Sequence, residues 1–333
     1  MIALERTDLA PRIAKAALGA LAIAAALELL AVFAYRQDSR VRLDFGYSED
    51  VGFSVSDGTV HLRPVASRGL WPQDYPVAKP PQTKRVVVIG DSVARAGSYR
   101  ESFAGQLAER LAACGARAEV WNLASPGYGS RRKDVVVAKV LQFAPDLVIY
   151  HANVTTEYED AREWERRERH ASWHPSQWPE KLPLLGRISM SMTEKVYWRW
   201  LDPAVRAGFD REGTDLDEAL RSKSDVEHWR PIMLENFAGT RARLRAAKVP
   251  LIVITRADLI DDGPEMTDHG LEEAIGALAK NEGFRWIATR QVARQGDPRA
   301  FFADGSHWNP IGHERMAQAL LPIVQKTLSL RCR

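Results

Sequence analysis

The stretch Val86-Val87-Val88-Ile89-Gly90-Asp91-Ser92 decides the architecture of this chain. An unbroken run of β-branched residues, without polar alternation, fits a strand buried on both faces. The run stops at a glycine and two small polar residues, the kind that start a helix. The same unit repeats outward along the chain. Strands are predicted at 85–90, 118–123, 146–151, 250–255 and 284–288, and helices at 99–114, 130–143, 227–248, 268–282 and 310–329. This alternation predicts an α/β domain: three layers, α/β/α, flavodoxin-like, around a mainly parallel five-stranded sheet. Functional residues of such sheets gather beyond the carboxyl ends of the strands. Ser92, Gly127 and Asn153 each fall just after a predicted strand.

Close to the other end the chain reads Asp304-Gly305-Ser306-His307. A serine hydroxyl is a weak nucleophile until an imidazole takes its proton, and the imidazole needs a carboxylate to fix its tautomer and stabilise its charge. Ser92, His307 and Asp304 supply those three groups.

Four blocks in order resemble the SGNH hydrolases, also called GDSL esterases and lipases. The first is Gly90-Asp91-Ser92, and the second runs from Asn122 through Gly127 to Gly129. The third is His151-Ala152-Asn153-Val154, and the fourth is Asp304-Gly305-Ser306-His307 with Asn309, Pro310, Gly312 and His313 behind it. The resemblance covers roughly 85–155 and 248–325. It implies catalytic roles for Ser92, Asp304 and His307 and an oxyanion hole from the N–H groups of Ser92 and Gly127 with the Asn153 amide. Asp91 and Asn122 would brace these from behind. Against the family's usual Gly-x-Asn-Asp, Val154 departs from the second Asp and Ala152 fills a position that is often small. Each residue also has an ordinary reading: Asp91 as a helix cap, Asp304 serving a helix dipole, His307 and His313 as structural histidines. Their joint occurrence favours the catalytic reading.

Outside the blocks, Ala16–Tyr35 is an apolar run broken only by Glu28 and preceded by Arg6, Arg12 and Lys15, and membrane contact is expected through residues 13–35. It is long enough to span a bilayer and longer than a typical signal-peptide core, so an uncleaved anchor is favoured over a cleaved leader. Arg36, Arg40 and Arg42 on its far side weaken the positive-inside vote for a cytoplasmic N-terminus. The expected organisation is a cytoplasmic tip and anchor (1–35), an extended Pro/Gly-rich linker with a short hairpin at most (36–84), and the hydrolase-like domain (85–330). Residues 155–226 interrupt that domain as an inserted helical cap. The cap holds Trp164, Trp173, Trp178, Trp198 and Trp200, half of the ten tryptophans. They either glue the cap to the core or wall a substrate pocket.

Cys114 and Cys332, the two cysteines of the chain, read either as isolated buried thiols or, since the first and last helices of a flavodoxin-like order share one face, as a disulfide formed in an oxidising compartment. A net charge of +3, with its basic residues dispersed, gives no nucleic-acid signature. No cofactor or metal is implied. His170 and His174 have helical ligand spacing but lack the glutamate of the usual zinc motif. The expectation is a membrane-anchored, extracytoplasmic serine esterase acting on an O-acyl or O-acetyl group of an envelope glycan or glycolipid. Acyl transfer, lipase or thioesterase activity, and a non-catalytic glycan-binding scaffold are the alternatives.

Overall fold

A computed structural model of the chain describes residues 9–35, 46–47, 52–65, 68–161, 164, 184, 223–261 and 263–330. The chain divides into two units. The first comprises residues 1–43 and 166–214, and its described part is helix α1 (Leu9–Tyr35) with Leu184. Within α1, Pro11–Ala31 has a mean hydropathy of 1.9, long and apolar enough to cross a membrane. Its one carboxylate, Glu28, accepts a hydrogen bond from the Leu184 N–H at 2.9 Å. Trp173, Trp178, Trp198, Trp200, His170 and His174 lie outside the described residues, as does most of the expected cap.

The second unit, residues 44–165 and 215–333, carries the expected α/β core. Its first elements are strands β1 (Phe53–Ser56), β2 (Thr59–Val65), β3 (Arg68–Pro76) and β4 (Lys84–Ile89), then helices α2 (Ser92–Arg95) and α3 (Phe103–Ala113). Strand β5 (Ala118–Asn122), helix α4 (Ser130–Val140) and strand β6 (Leu147–Ala152) follow. After the interruption come α5 (Lys223–Ala246), β7 (Leu251–Thr255), β8 (Asp258–Leu259), β9 (Met266–Thr267), α6 (Leu271–Glu282), β10 (Arg285–Ala288), α7 (Thr289–Ala293) and α8 (Pro310–Leu328). The main sheet has five parallel strands in the order β10-β7-β6-β4-β5, the flavodoxin-like arrangement.

Strand residues alternate between two cores. Val86, Val88, Ile149 and Ile254 join α3 and α8 on one face, and Val87, Ile89, Val148 and Val253 join α4, α5 and α6 on the other. Covering both faces is what makes these strands read as unbroken apolar runs. Two expected helices start late for local reasons. Helix α3 begins at Phe103 because Ser102 caps it, its Oγ accepting from the Gly105 N–H at 3.1 Å. Gly270 precedes α6 at φ +73°, where the chain turns left-handed. Cys114, at the end of α3, is disulfide-bonded, and Cys332, the other cysteine of the sequence, lies outside the described residues.

The segment expected as loop and linker differs. Strands β1, β2 and β3 form an antiparallel meander, and Val60, Leu62 and Leu70 are fully buried against the main domain. Strand β3 shields edge strand β5. The Gln73 amide accepts from Asn122 N–H at 3.0 Å and donates to Asn122 C=O at 3.3 Å, and Tyr75 stacks on Trp121 with ring centroids 4.8 Å apart. Pro72 and Pro76 are tolerated because β3 is an outer strand of the meander.

Candidate active site

Ser92 is the first residue of α2, directly beyond the carboxyl end of β4. Asp91 caps that helix, its Oδ1 accepting from the Val93 N–H at 3.0 Å. Gly90 permits the tight turn, since a Cβ there would sit 2.4 Å from the Ala94 Cβ. The meander steadies the far end of α2. Arg95 lies over the Trp71 ring at 3.7 Å, and the Trp71 indole N–H donates to Arg95 C=O at 3.0 Å.

His307 reaches Ser92 from the loop ahead of α8. Ser92 Oγ lies 3.0 Å from His307 Nε2, and His307 Nδ1 lies 3.0 Å from Asp304 Oδ2. The other carboxylate oxygen of Asp304 accepts the N–H groups of Ser306 (2.7 Å) and His307 (2.6 Å). Partial burial raises the Asp304 pKa, but these N–H groups and His307 outweigh it and hold the carboxyl below its usual range. Asn309 caps α8 through the Gly312 N–H at 3.0 Å and ties its own amide to Ala300 and Phe302, which fixes the loop. With the imidazole between hydroxyl and carboxylate, a proton on Nδ1 would face Asp304 and leave Nε2 to accept one from Ser92.

Beneath Ser92 lies a buried polar cluster. Asp91 Oδ2 accepts from Asn153 Nδ2 at 2.6 Å and His151 Nδ1 at 3.3 Å, with Lys133 Nζ at 3.5 Å. Burial opposes its charge, yet His151, Lys133 and Arg256 hold the Asp91 carboxyl well below the usual range. Burial pushes the His151 imidazole down against the pull of Asp91, so the ring is neutral. It donates through Nδ1, while Nε2 has no partner among the described residues. Asn122 braces the back of α2, donating to Ala94 C=O at 3.1 Å and accepting from Ala124 N–H at 3.1 Å.

Of the residues expected in the oxyanion hole, Asn153 sits at the end of β6. One of its two amide hydrogens goes to Asp91, and the second has no partner among the described residues. Gly127 follows β5 at φ +73°, a conformation that favours glycine, and its C=O accepts from Arg132 at 3.3 Å. His313 does not join the reacting groups. It is buried, accepts the Phe103 N–H at 3.3 Å, and is pushed down to about 3 by burial and by its neighbours His151 and His307. A cavity of about 480 Å³ opens beyond β7, lined by Val226, Arg230, Asp258, Leu259, Ile260 and His269 among others. Its wall is tied to the histidine loop by the Leu259 N–H, which donates to Gly305 C=O at 2.8 Å.

Lys133, Thr155 and Arg256 were not evident as site residues from the sequence. For Lys133 a signal exists: it shares the helical face of Val136, Val137 and Val140, where a solvated lysine does not belong. Thr155 and Arg256 carry no local signal.

The fold and site define a three-layer α/β/α domain of flavodoxin-like order that presents a serine from the end of β4 and an imidazole and a carboxylate from the loop ahead of α8, in the block order of the SGNH hydrolases. No family model and no curated protein matches the chain. Solved structures do. An acetyl xylan esterase, AlAXEase, is 16% identical over 72% of this chain and 99% of its own, with a TM-score of 0.45. A lipolytic G-D-S-L family protein from Veillonella parvula is 11% identical over 73% and 99%, with a TM-score of 0.44. The psychrotrophic esterase EstA from Pseudoalteromonas sp. is 12% identical over 74% and 99%, with a TM-score of 0.42. At such identities and TM-scores these likenesses say nothing of substrate, and the chemistry rests on the atoms of the site.

Proposed function

We infer that the protein is a serine hydrolase acting on oxygen esters. The observation that carries this reading is the continuous hydrogen-bonded line from Ser92 Oγ through the His307 ring to Asp304. Ser92 Oγ attacks the acyl carbonyl carbon while His307 Nε2 takes the hydroxyl proton. The carbonyl oxygen becomes an oxyanion, for which the Ser92 and Gly127 N–H groups and the Asn153 amide are the assigned donors. Its collapse breaks the ester C–O bond, and His307 returns the proton to the leaving alkoxide. Water then attacks the acyl-enzyme by the same proton route in reverse, releasing the acid and restoring Ser92.

The substrate class is an O-acyl group, O-acetyl above all, on an envelope glycan or glycolipid. Helix α1, as an anchor, would hold the domain outside the cytoplasm beside such polymers. The cavity beyond β7 mixes apolar Val226 and Leu259 with Asp258, Arg230 and His269, a combination suited to a hydroxyl-rich ring. The test is turnover of p-nitrophenyl acetate and of O-acetylated oligosaccharides. Wild type should release product, while Ser92→Ala and His307→Ala should each fall to background. Equal turnover by Ser92→Ala would refute the scheme.

A further inference from the structure

An amide side chain has two ends of nearly equal size, and only the NH₂ end can stabilise an oxyanion; reversed, the carbonyl oxygen would repel it. Reading Asn153 as an oxyanion donor therefore requires something that sets its orientation. Asp91 demands the NH₂ end on one side. On the other, Asn153 Oδ1 accepts from the Thr155 N–H at 2.9 Å and from the Thr155 hydroxyl at 2.8 Å.

The hydroxyl is itself polarised. Arg256 Nη1 donates to Thr155 Oγ1 at 2.7 Å. A guanidinium has no acceptor, so Thr155 Oγ1 must accept there, and its single hydrogen is left for Asn153. Arg256 is buried and held on both sides: its Nε donates to Asp258 Oδ1 at 2.7 Å, and its backbone N–H donates to Ala152 C=O at 3.0 Å. Asp258 Oδ2 is in turn 2.8 Å from His269 Nε2, at the wall of the cavity. The bonds run in one direction from Arg256 to Thr155 and from Thr155 to Asn153.

We propose that Thr155 and Arg256 are positioning residues that fix the Asn153 amide with its NH₂ end toward the oxyanion. This rests on the serine hydrolase reading and on the oxyanion role of Asn153. Removing Arg256 outright strands the Asp258 carboxylate, so the test uses Thr155→Val, which keeps shape and loses the hydroxyl, with Thr155→Ser as rescue and Arg256→Lys as a charge-preserving change.

The readout is the rate of phosphonylation of Ser92 by a fluorophosphonate in the full 333-residue chain in detergent. Thr155→Val and Arg256→Lys should each slow labelling about tenfold, the scale on which outer partners of a positioned group act. Thr155→Ser should stay within about twofold of wild type, the hydroxyl being retained. In an Asn153→Ala background, itself slower by about 10², the three changes should have no further effect, because the group they orient is gone. An unchanged rate in Thr155→Val, or the same loss in both backgrounds, overturns the proposal. Full labelling of Asn153→Ala removes its premise and the proposal with it, and no labelling of wild type removes the serine reading as well.

Discussion

Ser92 and His307 stand 215 positions apart in the chain, and Ser92 Oγ lies 3.0 Å from His307 Nε2. Two separate devices bring them there: a capped turn at the end of the central strand β4, and a loop locked to α8 by the Asn309 side chain. Because neither device depends on the other, each can be broken separately.

Gly90→Ala attacks the first device. The added methyl would lie 2.4 Å from Ala94 Cβ and 3.2 Å from His151 Cβ, in a site with no slack. The expected outcome is a loss of about 1–3 kcal/mol in urea unfolding, with Ser92 displaced and ester turnover reduced more than stability alone explains.

Lys133→Met removes the buried cation next to Asp91 and the donor to the His151 carbonyl, a contact of 2.9 Å. Asp91 keeps its Asn153, His151 and Val93 donors but loses its nearest buried cation, so stability should fall by about 3 kcal/mol. Adding Asp91→Asn to the variant should recover part of the loss, since the stranded charge is then gone. Urea midpoints of the single and double variants decide the matter.

Glu157 gives a pH signature. Burial, followed by the neighbouring Asp160, pushes its carboxyl from 4.5 up to about 7, although both its oxygens accept from Ser130. The folded state therefore holds this proton where the unfolded chain has lost it, and the associated stability is complete below about 4.5 and lost as the pH rises through about 7. The full effect is on the order of 3 kcal/mol. Glu157→Gln, which cannot ionise, should gain thermal stability relative to wild type between pH 5 and pH 8. The difference between the two melting curves, followed across that range, isolates Glu157 from the buried His151 and His313, whose lowered pKa values act in the opposite sense as acid is added. A difference that is constant with pH would contradict the assignment.

The parts of this structure legible in the sequence were those whose causes are local. Strands β4, β6 and β7 are buried on both faces, so Val86–Ile89, Leu147–Ile149 and Leu251–Ile254 announce themselves as apolar runs. The serine motif falls at the end of such a strand and the histidine motif just ahead of α8. The meander was not legible, because Pro64, Pro72 and Pro76 read as breakers while its strands are held by tertiary partners such as Trp121 and the Asn122 backbone. Arg256 follows the same logic: its meaning comes from Thr155 and Asp258, and only the first contact crosses from one strand end to the next. His151 stands in the third sequence block, but its partnership with Asp91 required the fold.

The central claim is that His307 activates Ser92, and intact mass after exposure to a fluorophosphonate tests it most directly. The full-length chain should gain the mass of one phosphonyl group, and Ser92→Ala should gain none. A folded wild-type chain that stays unmodified, or a Ser92→Ala variant that labels equally, would contradict the account.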